Sequence, residues 1–459
     1  VPFDALGFGI SPSNLSATDT TQLLAMWAAK EALRDAGYSS SRADTDGRGF
    51  DRDRCSAILG VTGTLELVIP LGARLGHPHW RRALRDAGVD ETTAEDVVAR
   101  IADSYVDWQE NSFPGLLGNV AAGRLANKFD LGGTNCVCDA ACASSLSALH
   151  LAAMELWSGR ADMALTGGAD TFNDVFMYLC FSKTPALSAT GDAKPFAADG
   201  DGTILGEGVG ILVLKRLRDA ERDGDRILAC IRGIGSSSDG AGTAIYAPSA
   251  TGQQKAVRNA HAHAEVRPRD IQLIEAHGTG TRVGDGVELG ALIEVFEDDR
   301  PAGTDRPWCA IGSVKSHIGH TKAAAGVAGL MKVVCALRHQ VLPPTGKVRQ
   351  PLAIATGRDI PLSINNQARP WLPPLSGPRL AALSAFGFGG SNFHCIVQET
   401  PEPTAATSWD PELLWFCYAG DKLAAIDKEL AAIDPQTRPA EHSRLPVPQR
   451  HWGTELPAS

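Results

Sequence analysis

VCDAACASSLSALHLAAMELW, Val137 to Trp157, carries a strand end through a run of small residues into an amphipathic helix, and Cys142 sits at the joint. A cysteine in the first turn of a helix feels the positive end of the macrodipole and nearby free amide hydrogens, so a lowered thiol pKa is expected there. Ala140, Ala141, Ala143, Ser144 and Ser145 are small enough for a crowded junction that a substrate approaches closely, and Leu146, Leu149, Ala153 and Leu156 supply a buried face. A free cysteine is otherwise a small hydrophobe. This stretch alone leaves the nucleophilic and the structural readings of Cys142 both open.

The 459 residues, 44% hydrophobic and 21% charged with 48 glycines, describe a globular, turn-rich chain with room for a large duplicated α/β unit and a tail. A formal charge of −10 without a basic stripe argues against a nucleic-acid partner. The ten cysteines lie mostly in apolar runs, with no CxxC pair and no second cluster, so neither a disulfide framework nor a metal site is expected. There is no signal peptide and no apolar span of about 18 residues, which implies a cytoplasmic setting with no membrane partner.

Thr18 to Tyr38 has helical spacing at Leu24, Trp27, Ala28 and Leu33 with Gly37 as a stop, and reads as a surface helix. SAILGVTG is a buried-strand pattern, and Gly76 to Trp108 is a polar, helix-rich excursion whose His77 and His79 are expected to be solvated. Cys136 and Cys138 alternate on one strand face, which core packing explains. Strand patterns recur at ADMALTGGAD and in KPFAADGDGTILGEGVGILVLKRL, where Asp199 and Asp201 suit a turn with Asx bonding. A second half begins near Ile231. It carries the strands IQLIEAHGTGT and WCAIGSVKSHIGH, and then the small-residue helix TKAAAGVAGLMKVVCALRH. That helix resembles the one after Cys142, and the two are expected to pack together at the centre of a duplicated fold. The strand RLAALSAFGFGGSNFHCIVQE follows. Beyond a Pro/Glu linker at Thr400 to Thr404, the tail holds a short helical segment, LAAIDKELAAID.

Four glycine-flanked motifs stand in order: Cys142, EAHGTGT with His277, GSVKSHIGH with Lys315 and His320, and FGFGGSN with Phe386, Phe388 and Gly389. Two histidines beside one candidate nucleophile make a catalytic constellation. In this order the motifs resemble the β-ketoacyl synthase family of thiolase-like condensing enzymes, over about Gly9 to Glu399. The resemblance implies an α/β, thiolase-like fold, duplicated as five αβαβα layers with two mixed sheets. Residues 1–400 would form the ketosynthase, with halves of about 1–228 and 229–400, and 401–459 a linker or tail.

Carried over residue by residue, the resemblance makes Cys142 the nucleophile that takes an acyl chain from a carrier-protein thioester. His277 and His320 would bind the malonyl thioester carbonyl and stabilise the enolate formed on loss of CO2. Lys315 would position or polarise His320, and Thr279 and Thr281 would hold the phosphopantetheine arm. The amides of Cys142 and Phe388 would form the oxyanion hole, the Phe388 ring would gate the acyl pocket, and Phe386 and Gly389 would complete the substrate surface. The second histidine, where thiolases carry cysteine, favours the elongating type. No cofactor would belong to the domain itself, since the substrates ride on an acyl carrier protein.

WQENSFPGLLGNVAAGRLANKFDLGGTNC, DTFNDVFMYLCFSKTPALS and SNFHCIVQE look more narrowly like the ketosynthase of iterative enediyne polyketide synthases, which implies a linear polyene product. The expected partners are an acyl carrier protein, a second copy of the chain paired through TNCVCDA, and other domains of the same synthase, an acyltransferase among them. The alternative reading is a silent condensing-like domain serving as dimer platform or chain-length partner, although the Cys-His-His set is complete. Departures from the family pattern are Ala197 in the PFAADG loop, Gly286 in the HGTGTRVGDG segment and His317 in KSH, while Glu207 is retained. Little of the family's opening strand is visible before Phe8, so an N-terminal portion is expected to be missing. LPVPQRHW resembles linkers that join polyketide synthase domains, which implies a longer polypeptide.

Overall fold

Helices Ser144–Trp157 and Ala325–His339 lie side by side between two β-sheets in the computed structural model of the chain. The structure describes residues 2–400 apart from 43–46, 64–65, 185, 242–243, 358 and 375; the tail helix and the Pro/Glu linker expected beyond Thr400 lie outside the described residues.

The first sheet contains β1 (Cys55–Gly60), β2 (Asn135–Cys138), β3 (Met163–Asp170) and β4 (Gly208–Leu214), in the order β2-β1-β3-β4. β1 runs parallel to β2 and β3, and β4 returns antiparallel along β3. β1 and β3 are buried along their whole length, because both faces are covered by helices. The second sheet contains β5 (Cys230–Ser238), β6 (Leu273–Glu275), β7 (Cys309–Gly312), β9 (Leu362–Ile364), β11 (Leu380–Gly387) and β12 (Ser391–Gln398), in the order β5-β12-β11-β6-β7-β9. β8 (Val341–Leu342) and β10 (Arg369–Pro370) form a separate ribbon. RLAALSAFGFGGSNFHCIVQE is thus a hairpin rather than one strand. Gly389 and Gly390, at φ +94° and +82°, supply the turn.

Helices Thr20–Asp35 and Val120–Phe129 cover the outer face of the first sheet, and Ala250–Ala264 and Arg282–Glu297 pack with the second. The layers are therefore helix, sheet, helix, sheet, helix, as expected of a duplicated α/β chain. The two halves repeat one local device: β2 directly, and β7 by way of the short helix Lys315–Ile318, reach a turn with a left-handed non-glycine residue, Ala141 and Lys322, both at φ +49°, that opens a central helix. They differ at both edges, since β5 flanks β12 and β9 flanks β7, while no strand flanks the outer edge of β4 or of β2 among the described residues.

Small residues let the central helices approach closely. The Ser145 hydroxyl accepts the Val327 amide at 3.0 Å, serving a first-turn N–H that the helix leaves without an internal partner. A Cβ on Gly326 would stand 2.7 Å from Leu146 Cγ and 2.9 Å from Ser145 Oγ. Gly326→Val is therefore expected to destabilise the fold by about 1–3 kcal/mol, which a denaturant titration followed by tryptophan fluorescence measures.

Helix Thr20–Asp35 corrects one expectation. Its buried stripe is Thr21, Gln22, Ala25, Met26, Ala29 and Leu33, while Trp27 stands exposed. Alanine at 25 and 29 lets the backbone sit directly on Val120–Phe129 and the sheet, so close approach outranks side-chain size in choosing the face. The excursion forms helices His77–Asp86 and Glu91–Asp103, which pack on one another. His79 is exposed, but His77 is half-buried against Trp80, with ring centroids 5.3 Å apart. Cys136 and Cys138 pack beside Ile58, Ala148 and Ala152. Asp201 accepts the Thr190 amide at 2.9 Å and Asp199 pairs with Lys194 at 2.9 Å, as in a bonded turn. No described helix is long and apolar enough to cross a membrane.

Candidate active site

Cys142 occupies the 3-10 turn Ala141–Ala143, between β2 and the central helix Ser144–Trp157. Asp139 accepts the Ala141 amide at 2.8 Å, and Ser144 Oγ accepts the Ala140 amide at 2.9 Å while donating to the Ala141 carbonyl at 2.6 Å. These bonds hold Ala141 in its strained left-handed conformation and aim the turn at the second sheet. The end of β11 presses against it there. A Cβ on Gly387 would overlap the Ala140 carbonyl oxygen and reach within 3.4 Å of the Ala143 amide nitrogen. Phe388, next in the chain, is thereby carried to the cysteine turn, and its amide has no acceptor among the described residues. Its ring is half exposed, and the Gly389 amide donates to Ile245 O at 3.1 Å.

His277 follows β6, and its ring centroid lies 5.6 Å from that of His320, with the planes at 83°. The Phe386 amide donates to His277 Nδ1 at 3.3 Å, and the Lys322 amide donates to His320 Nδ1 at 3.0 Å. An Nδ1 that accepts is unprotonated, so each neutral ring carries its hydrogen on Nε2. Burial first, then the Lys315 charge, holds both imidazoles well below the usual histidine range. The pair is neutral at pH 7 and offers two N–H donors. The Phe386 ring packs on His277 at 5.6 Å between centroids, tilted by 54°, and the Thr279 and Thr281 hydroxyls lie 3.0 Å apart.

Lys315 is buried and donates to the His277 carbonyl, not to the His320 ring. Burial lowers its pKa, opposed by the charges of Glu275 and Glu288. These acids form part of a carboxylate frame that the motifs alone do not announce. Glu288 accepts the His277 and Gly278 amides at 2.7 and 2.8 Å, and Asp285 accepts the Phe196 and Gly280 amides at 2.7 and 3.1 Å. Glu275 accepts the Val314 amide and pairs with Lys332, both at 2.6 Å. The visible signal for Glu288 and Asp285 was an acid pair three residues apart on the face of helix Arg282–Glu297 that also carries the buried Leu289 and Leu292. Burial pushes Asp285 up to about 6 and Glu288 up to about 7.

Cys142 corrects another expectation. Burial pushes its thiol up to about 11, and the nearby Lys315 charge offsets only part of this. Desolvation of a thiolate outweighs the helix-start field expected from the sequence. Alkylation of Cys142 by iodoacetamide is therefore expected to rise about tenfold per pH unit from pH 7 to 10, following the thiolate fraction. Lys315→Met removes a stabilising cation and should slow alkylation at every pH in that range; an unchanged rate would place the lysine charge out of reach of the sulfur.

The site thus brings together a buried thiol, two tautomer-fixed imidazoles and an amide with no acceptor among the described residues, the equipment of an acyl-transferring condensing centre. Residues 1–220 match the β-ketoacyl synthase N-terminal domain and residues 228–349 the β-ketoacyl synthase C-terminal domain. The chain belongs to the β-ketoacyl synthase family. It is 42% identical over 441 residues to a polyunsaturated fatty acid synthase of Thraustochytrium sp., covering 94% of this chain and 15% of that protein. It is 37% identical to polyketide synthase GfsA of Streptomyces halstedii, covering 89% of this chain and 5% of that one. The ketosynthase from module 6 of the bacillaene synthase of Bacillus subtilis 168 superposes with a TM-score of 0.71 at 33% identity, over 87% of this chain and 62% of that one. The chain therefore spans a small part of these synthases. The shared fold is thiolase-like, and the class is that of acyltransferases that condense.

Proposed function

We propose that this chain is the ketosynthase of an iterative polyketide synthase and extends an acyl chain held as a thioester on Cys142. In the first half-reaction the Cys142 sulfur attacks the thioester carbonyl of an acyl carrier protein. The phosphopantetheine sulfur leaves with the proton that Cys142 gives up, which suits a thiol that is not ionised beforehand. The Cys142 and Phe388 amides hold the tetrahedral oxyanion. In the second half-reaction the malonyl thioester carbonyl sits between the Nε2 hydrogens of His277 and His320. Loss of CO2 leaves an enolate that these donors stabilise, its carbon attacks the acyl carbonyl, and the Cys142 thiolate departs. Neutral imidazoles suit this task, because they stabilise developing charge without placing a net cation in a buried site.

Lys315 fixes the His277 backbone and biases both rings electrostatically. Thr279 and Thr281 guide the phosphopantetheine arm. Phe386 packs under His277, and the Phe388 ring, beside the Gly389 turn, gates the acyl pocket. The observation that carries the reading is the pair of histidines, each with Nδ1 capped by a backbone amide, beside the strand end that abuts the cysteine turn. The enediyne-type, polyene-forming subclass is supported by the quoted DTFNDVFMYLCFSKTPALS and SNFHCIVQE motifs. The remaining partners are other domains of the same synthase in the cytoplasm and a second copy of the chain. Support for that copy comes from the outer edge of β2, which pairs with no strand among the described residues, and from the exposed apolar residues Val175, Phe176 and Leu179 on helix Val175–Lys183. Residues 401–459 would be a linker or tail.

Incubating the protein with acyl and malonyl carrier proteins should give an acyl adduct on Cys142 by peptide mass spectrometry, release of CO2 and an elongated β-ketoacyl product. Absence of any adduct on Cys142 overturns the reading.

A further inference from the structure

Lys322 is the left-handed residue of the second central turn, and its side chain is buried rather than solvated. Its ammonium pairs with Asp170 Oδ1 at 3.0 Å and donates to Asn173 Oδ1 at 2.8 Å and the Gly206 carbonyl at 2.9 Å. Three donors thus meet three acceptors, from the end of β3, the segment after it and the loop before β4. Asp170 also accepts the Ala323 amide at 3.4 Å, so it holds the turn from both sides. The same residue's backbone amide is the donor that fixes His320 Nδ1.

The twin turn at Ala141 is held by its own neighbours, Asp139 and Ser144. The Lys322 turn is held across the molecule, by groups in the other half of the fold. A non-glycine residue persists in this conformation only where its surroundings over-determine it. Here the surroundings are a charge pair buried where a lone carboxylate or ammonium would be costly.

We propose that Lys322 and Asp170 are a positioning pair for the reaction: the buried ion pair locks the Lys322 amide against His320 and so keeps the His320 hydrogen on Nε2, facing the substrate. Neither residue is placed on the substrate; both act through His320, while on the Cys142 thiol the Asp170 and Lys322 charges pull in opposite directions. This rests on the ketosynthase reading, and it separates the two half-reactions, since acylation of Cys142 does not use the His320 hydrogen while decarboxylation does.

The experiment compares wild type, Lys322→Met and the charge-neutral double variant Lys322→Met/Asp170→Asn. Acyl loading is followed by mass spectrometry and CO2 release from a malonyl carrier protein is followed separately. In Lys322→Met, loading should stay within about threefold of wild type while CO2 release falls about 10–100-fold, the usual cost of removing a group that orients a reactive one. The acid limb of the CO2 profile should move to higher pH, because a nearby cation that disfavours imidazolium is gone. The double variant should recover melting temperature but not CO2 release. Recovery of both would make the pair merely structural, and equal loss in both half-reactions would make the defect general; either result overturns the proposal. Nitrogen-15 spectra of labelled histidines, with His320 assigned through His320→Gln, read the same point without turnover. An unprotonated Nδ1 is expected in wild type and mixed tautomers in Lys322→Met, and unchanged spectra would also overturn it. Wild type that takes no acyl chain would sink the ketosynthase reading instead, leaving the tautomer result to stand or fall alone.

Discussion

His320→Ala is expected to cut CO2 release from a malonyl carrier protein by about 10²–10⁴-fold while Cys142 still accepts an acyl chain. The split follows from where the ring sits. His320 Nδ1 is taken by the Lys322 amide, so only its Nε2 hydrogen is available, on a ring whose centroid lies 5.6 Å from that of His277. Cys142 instead lies in the turn against the end of β11, where the proposed acyl transfer would draw on backbone amides. Alanine at 320 removes a donor used after loading and leaves the loading turn intact. Single-turnover measurements of adduct formation and of labelled CO2 separate the two. Equal damage to both would mean that His320 serves the thiol itself. The pH dependence carries a second check. Both rings are held well below the usual histidine range by burial, so CO2 release in the wild type should persist as pH falls through 6.5 and fail only in more acid solution. Protonation there replaces two neutral donors with buried cations and also costs stability. A histidine whose folded pKa is depressed contributes stability above its unfolded value, and that stability is lost as pH drops below it.

The elements that place this centre are the ones with local signals. The small-residue run before Leu146, the fully buried β3 and the matching helix after His320 each announce a buried α/β layer from a few neighbouring residues. The four glycine-flanked motifs mark turns where functional side chains are displayed, and the structure brings Cys142, His277, Lys315, His320 and the Phe386–Gly389 turn to one place. What the sequence hides is what depends on distance along the chain. Asp170 and Lys322 stand at the ends of segments with no shared periodicity, and so do Glu275 and Lys332, so nothing local pairs them. The Cys142 thiol follows the same logic. Its helix-start position is legible, but its burial involves the end of β11 and the second central turn and helix packed on the cysteine turn, which no reading of Val137–Trp157 contains. Trp27 points outward for a related reason: which stripe of a helix is buried is settled by the partner surface, and there alanines allow closer contact than an indole would.

Gly387→Ala should cut acyl loading of Cys142 far more than one added methyl ordinarily does. The added Cβ overlaps the Ala140 carbonyl oxygen and crowds the Ala143 amide, both backbone atoms of the cysteine turn, so no side-chain rotation relieves it. Either β11 or the turn must move. β11 is hydrogen-bonded on both sides, to β12 and to β6, and its residues from Leu380 to Phe386 are buried. The turn is held by Asp139 and Ser144 with a strained residue at its start, so it is the softer partner and should yield. Overpacking of this kind costs about 1–3 kcal/mol of stability, visible as a lowered midpoint in urea. The larger expected effect is on chemistry, because the shift separates the Cys142 and Phe388 amides, the proposed oxyanion hole. Loss of one such donor costs about 10²–10³-fold in rate, so acyl loading of Cys142 should fall by that factor while the protein remains folded. Gly389→Ala, placed in the same turn where a Cβ meets nothing within 4 Å, is the control. It carries the strain of a left-handed position at φ +94° but no clash with the cysteine turn, so it should lower stability with a far smaller effect on loading. Equal loss of loading in both variants would show that hairpin strain, not the contact at Ala140, governs the site.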